Sequence, residues 1–151
     1  MAVPGATAGD FMAPVDGGKW YACNKSITYA AGTTGAQSAK TIFTVTGLVR
    51  VRIFAKCTAT LTSGGAATVS VGTATNATAL IASTTATNIA TNEIWQDATP
   101  DASVELETTR PVYLVSEDIK ETIGTTTVTG GSMQYTVLWQ PVSNDGTVVA
   151  A

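Results

Sequence analysis

The run Thr41 to Leu61, TIFTVTGLVRVRIFAKCTATL, constrains the chain more than any other stretch. β-branched and aromatic residues fill it, and such side chains suit a pleated, half-buried surface. Beyond Gly47 it alternates with a period of two. Val49, Val51, Ile53, Ala55 and Cys57 fall on one side, and Arg50, Arg52, Phe54 and Lys56 on the other. Successive side chains of a strand point to opposite faces, so the pattern predicts one apolar and one basic face. The apolar face requires a second layer to cover it. Gly47, where two alternating runs meet, reads as a tight corner between strands rather than a bulge within one.

The remainder supplies more short strands. Lys19 to Tyr29 holds one strand or two short ones, and Ala30 to Lys40 is a loop of small residues. Ser63-Gly64-Gly65 signals a turn before a strand at Ala67 to Thr73. Ala74 to Asn92 is a low-complexity Ala/Thr/Asn connection with a short strand near Leu80 to Ser83. Its threonines and asparagines argue against a helix. Glu93 to Gln96, Ser103 to Glu107 and Pro111 to Ser116 are the next candidates, with an acidic turn at Asp97 to Asp101. Ile119 to Val128 and Ser132 to Gln140 read as a hairpin about Gly130-Gly131. In its second strand Met133, Tyr135, Val137 and Trp139 face one way, with Ser132, Gln134, Thr136 and Gln140 opposite, and Pro141 ends it. Regular short strands with Gly-rich turns predict an all-β fold, a β-sandwich with a jelly-roll-like path. The expected organisation is an extended arm at 1–18, a sandwich domain at 19–142 and an exposed tail at 143–151. The arm is Pro- and Gly-interrupted, with Phe11, Met12 and Val15 as its sizeable apolar groups.

The 151-residue length fits one domain, and only 13% of residues are charged, against about 25% in soluble domains on average. The polar surface must therefore come largely from Thr, Ser, Asn and Gly. Net charge is −3, which lacks the basic field a general nucleic-acid binder needs. The charge is unevenly placed. Before Thr60, six basic residues (Lys19, Lys25, Lys40, Arg50, Arg52, Lys56) face Asp10 and Asp16, a balance of +4. From Leu61 to Glu121, eight acids face Arg110 and Lys120, a balance of −6. Such halves pair within the fold or between copies.

Histidine is absent, which removes Ser-His-Asp and Cys-His catalysis and the usual zinc sets. Cys23 and Cys57 are either one disulfide or two buried thiols. No apolar run approaches the roughly 20 residues of a membrane span, and the N-terminus lacks the charged and apolar regions of a signal peptide. The acids between Glu93 and Glu121 read as solvated turns and strand faces. A calcium site lacks its loop pattern there, and paired catalytic carboxylates cannot be read from spacing. Arg50, Arg52 and Lys56 read either as a solvated face paired with neighbouring glutamates or as contacts to an acidic partner. Trp20, Trp95 and Trp139 read as core groups, with a carbohydrate platform as the alternative. No cofactor is implied.

Several phrases resemble the small structural proteins of tailed bacteriophages: IFTVTGLVRVRIFAKCT, SVGTATNATALIA, DIKETIGTTTVTGGSMQYTVLWQPVS and the small-residue N-terminus. The chain looks most like a capsid decoration, or cement, protein. The resemblance implies a jelly-roll or β-tulip body that sits as a trimer on the outer capsid surface and bridges neighbouring capsomers. It implies no enzymatic activity, with the major capsid protein and further copies of the chain as partners, and neither nucleic acid nor membrane. The arm at 1–18 would clasp the next copy. The interface residues expected are Phe11, Met12, Val15, Arg50, Arg52 and Lys56. The alternatives are a tail or fibre component and a secreted glycan- or receptor-binding module.

Overall fold

The computed structural model describes residues 19–105 and 111–151. Among these residues it contains eleven strands: β1 (Tyr21–Thr28), β2 (Ala39–Thr46), β3 (Val49–Ser63), β4 (Thr68–Gly72), β5 (Ile81–Thr85), β6 (Glu93–Trp95), β7 (Asp101–Ala102), β8 (Tyr113–Val115), β9 (Ile119–Gly124), β10 (Val128–Pro141) and β11 (Thr147–Ala150). A single turn of 3-10 helix, Ala86–Asn88, follows β5. The strands form two antiparallel sheets. The first runs β1-β10-β3-β6-β7, with β8 also paired to β3; the second runs β11-β2-β9-β4-β5. The fold is all-β, two sheets packed over one core.

The alternation in β3 has the predicted consequence. Val49, Val51, Ala55 and Cys57 are fully buried, and Ile53 nearly so. Arg50, Arg52 and Phe54 are half-buried on the opposite face, and Lys56 is exposed. β10 repeats the pattern, with Met133, Tyr135 and Val137 buried. Gly47 is the corner: its φ is +63°, and it carries the chain from β2 in the second sheet to β3 in the first. A Cβ there would lie 2.4 Å from both Asp145 Oδ1 and Ser143 Oγ.

Four expectations need correction. Gly130-Gly131 is not a hairpin turn, because β9 and β10 belong to different sheets. The glycines lie inside β10, where the register against β3 shifts three times between Val128 and Met133. Gly131, at φ +101°, sits where a Cβ would meet Thr60 O at 2.5 Å. The pair forms a bulge that bends β10 over β3. Second, 143–151 is not an exposed tail. The polar residues Ser143 to Gly146 make a turn, and β11 then pairs with β2 from Thr147–Thr46 to Ala150–Phe43. Third, Ser103 to Glu105 is not strand. The short β7 lies just before it, where a turn was expected, and Ser103 has φ +60°. Residues 106–110 lie outside the described set. Fourth, Glu121 is not a solvated acid but is fully buried.

Both cysteines are free thiols. Cys23 lies opposite Val137 and Cys57 opposite Met133, on the two flanks of β10. They are two strands apart and four residues out of line. At about 4.8 Å per strand and about 3.3 Å per residue, that exceeds the roughly 7 Å Cα separation a disulfide can span.

Candidate interaction surface

The outer face of the first sheet presents a regular surface. The β3–β10 register places Gln140 beside Arg50, Leu138 beside Arg52, Thr136 beside Phe54 and Gln134 beside Lys56. On the other flank of β3, Leu114 of β8 lies beside Arg50 and Ile94 of β6 beside Lys56. β1 extends the face with Ala22, Asn24 and Ser26. The outward neighbours of the three basic residues on β10, β8 and β6 are thus amide or apolar side chains.

Sequence reasoning proposed Arg50, Arg52 and Lys56 for one face, and the structure brings them together. The Arg52 guanidinium carbon lies 5.5 Å from the Trp20 ring centroid, within cation–π range. Phe54 and Leu138 are half-buried beside it. Leu114 is 65% exposed and completes a patch that joins cations to apolar groups. Phe11, Met12 and Val15 lie outside the described residues.

The tryptophans divide. Trp95 is fully buried, and its ring meets Tyr135 edge-on at 6.4 Å. Trp139 is half-buried and stacks on Tyr21 at 4.9 Å between centroids. Lys19 Nζ lies 5.2 Å from the Tyr21 ring.

Four of the acids brace loops. Glu117 accepts from the Thr75 hydroxyl at 2.5 Å and the Thr75 amide at 3.1 Å, and these bonds hold its carboxyl below the ordinary value. Asp118 accepts from the Val45 amide, Glu93 from the Ala90 amide, and Asp97 from Thr99. Among the described residues no group of three or more His, Cys, Asp or Glu is placed to hold a metal ion. No helix there is long and apolar enough to cross a membrane.

One polar cluster was missed from sequence. Glu121 Oε1 accepts from the Tyr29 hydroxyl and, at 3.1 Å, from the Tyr135 hydroxyl. The two hydroxyls are themselves 3.1 Å apart. The signal was available: Ile119, Glu121 and Ile123 alternate, so the glutamate occupies an inward position between two isoleucines.

The class defined by this geometry is an antiparallel two-sheet β-sandwich with a mixed cationic and apolar outer face. No protein-family model matches the chain, and no curated protein does. Among solved structures, it is similar to a chain of the acid-stable capsid of Helicobacter pylori bacteriophage KHP30, with a TM-score of 0.48 and 10% sequence identity, over 87% of this chain and 94% of that one.

Proposed function

We propose that this protein is a non-enzymatic structural component of a phage virion, which binds the outer capsid surface as a trimer and stabilises the head by bridging capsomers. The observation that carries the reading is the outer face of the first sheet. Arg50, Arg52, Phe54, Lys56 and Leu138 on the two longest strands, with Leu114 on β8, share one surface, a rigid base for a contact. Arginine beside aromatic and aliphatic groups is the composition of energetically important interface centres. The phage-like phrases of the sequence support the capsid as the partner, and they favour a jelly-roll or β-tulip description of the body. Phe11, Met12 and Val15 are assigned to contacts of the arm with the next copy. A decoration protein requires no chemistry. It gains from linked weak contacts, because each docked site raises the effective concentration of the next.

The test is co-sedimentation with expanded, undecorated capsids built from the major capsid protein of the same phage, alongside mass by light scattering. Stoichiometric trimers that pellet with capsids support the reading. Loss of pelleting in the double variant R50E/K56E and after deletion of 1–18 supports the assigned contacts. A monomer that ignores capsids but is retained on polysaccharide overturns the reading. That outcome would favour a second one, a glycan-binding module of a tail, fibre or secreted protein, for which the stacked Tyr21–Trp139 pair, with Tyr21 42% exposed, is the specific support.

A further inference from the structure

We propose that Glu121 is a proton-operated lock between the two sheets: with its carboxyl neutral the sandwich is closed, and loss of that proton weakens the packing of β9 against β10. Glu121 sits on β9, the central strand of the second sheet, and points into the core without any exposure. Its bonds to Tyr29 and Tyr135 cross to the first sheet. Oε1 receives both of them, and Oε2 has no hydrogen-bond partner. A carboxylate in that position would leave a charged oxygen in a dry interior, at a large desolvation cost.

The groups that surround it do not supply a counter-charge in contact. From β10 comes the Tyr135 hydroxyl, and from the residue after β1 the Tyr29 hydroxyl. Lys40 of β2 is its cross-strand partner. The Lys40 ammonium is instead turned to the carbonyl oxygens of Thr34 at 2.6 Å and Ala36 at 3.1 Å. On β4 the partner is Val71. On β3 the nearby titratable group is the buried Cys57 thiol, and β6 supplies Trp95, which packs edge-on against Tyr135. Burial raises the Glu121 carboxyl above its ordinary value, opposed by the bonds from the two tyrosines and by the Lys40 charge. Burial, with the Glu121 charge adding to it, also holds both phenols well above theirs, so the tyrosines stay donors across the working range.

The sign follows from linkage. A carboxyl whose folded value is raised contributes its full stability below the unfolded value of 4.5. That contribution is lost as pH rises from there through the folded value. Within this window the folding equilibrium constant falls about tenfold per pH unit, the effect of one proton. This is the reverse of the usual acid-labile carboxylate.

The experiment is urea denaturation of the full chain across about pH 4 to pH 9, for wild type, Glu121→Gln and Tyr135→Phe, with infrared titration of the wild-type carboxyl bands. Glutamine keeps an acceptor for both tyrosines but carries no proton to lose. The lock predicts that E121Q removes a declining step present in the wild type. It also predicts that Y135F, which removes a donor to the carboxylate, moves that step to higher pH. In the infrared, one neutral-acid carbonyl band of the folded protein persists to higher pH than those of the ordinary, exposed carboxyls. An E121Q profile parallel to wild type overturns the proposal. Should E121Q fail to fold, the infrared titration decides: absence of the persistent band overturns the lock and its presence supports it.

Discussion

The indole N–H of Trp95 on β6 donates to Thr84 Oγ1 on β5 at 2.9 Å, a buried bond that joins the first sheet to the edge strand of the second. Both residues are interior, so water does not compete for the donor. Thr84→Val keeps the shape and removes the acceptor. Leaving a buried donor unsatisfied costs about 1–3 kcal/mol. The expected result is a lower urea midpoint by tryptophan fluorescence with an unchanged m-value. Thr84→Ser, which restores an oxygen, should recover most of the loss. Equal stability of T84V and wild type would show that the bond is not maintained.

The bulge at Gly130-Gly131 gives a sharper contrast. A Cβ at Gly131 meets three backbone atoms, Thr60 O, Ala59 O and Leu61 Cα, within 2.8 Å, and φ is +101°. At Gly64 nothing lies within 4 Å. Gly131→Ala should therefore destabilise by at least about 1–3 kcal/mol, while Gly64→Ala should lie within about 0.5 kcal/mol of wild type. Thermal melts of the two variants side by side check this. A hairpin turn at Gly131 would leave room for the methyl group.

These glycines also show where the sequence stops being legible. The alternation of β3 and of Met133 to Trp139 was readable because a period of two against a buried face leaves no other register. The corner at Gly47 was readable for the same reason, since two alternating runs abut there. Gly-Gly is ambiguous. It serves a hairpin turn and a bulge equally, and choosing between them needs the identity of the partner strand, which is β3, some 70 residues earlier in the chain. The strand Thr147–Ala150 was hidden by the polar turn before it and by its shortness. On the interaction surface, the basic side chains of β3 were visible as a stripe. Leu114 and Leu138 joined it only through long-range pairing.

Cys57 is buried and its thiol is pushed up by desolvation, whereas Cys23 is half-buried on the edge strand β1. A neutral thiol is a poor nucleophile. Under native conditions an alkylating reagent should modify Cys23 first, with Cys57 reacting only after denaturant is added. Mass spectrometry without reductant should count two free thiols in every molecule. A mass two hydrogens lighter in an unreduced sample would contradict the register of β1 and β3 about β10.

Glu117 offers a pH test of opposite sign to Glu121. The Thr75 hydroxyl is the first cause of its lowered value, followed by the Thr75 amide. A carboxyl lowered in the folded state contributes stability above its unfolded value, and the contribution is lost as pH falls through the folded one. NMR titration of the Glu117 side chain should give a midpoint below 4.5. Thr75→Val should move that midpoint upward while leaving the remaining carboxyls in place. An unshifted midpoint in T75V would show that the hydroxyl bond does not persist in solution.

The strand β11 separates a closed domain from one with a loose end. It covers one side of β2 through four residue pairs, and it buries Val148 to 4% exposure. Ala151 also accepts from Lys25 Nζ of β1, so the segment ties the outer strand of the second sheet to that of the first. A chain stopped at Gly146 loses the Val148 burial, worth about 1.5–3 kcal/mol for a full aliphatic side chain. It also exposes β2 as a new sheet edge, with its unpaired amides and carbonyls open to other chains. The truncated protein should melt earlier and aggregate with a concentration dependence that the full chain does not show. The single variant Val148→Ala should lose stability without aggregating, because the backbone pairing survives. If truncation changed neither melting nor association, residues 147–151 would be an appendage and the second sheet would end at β2.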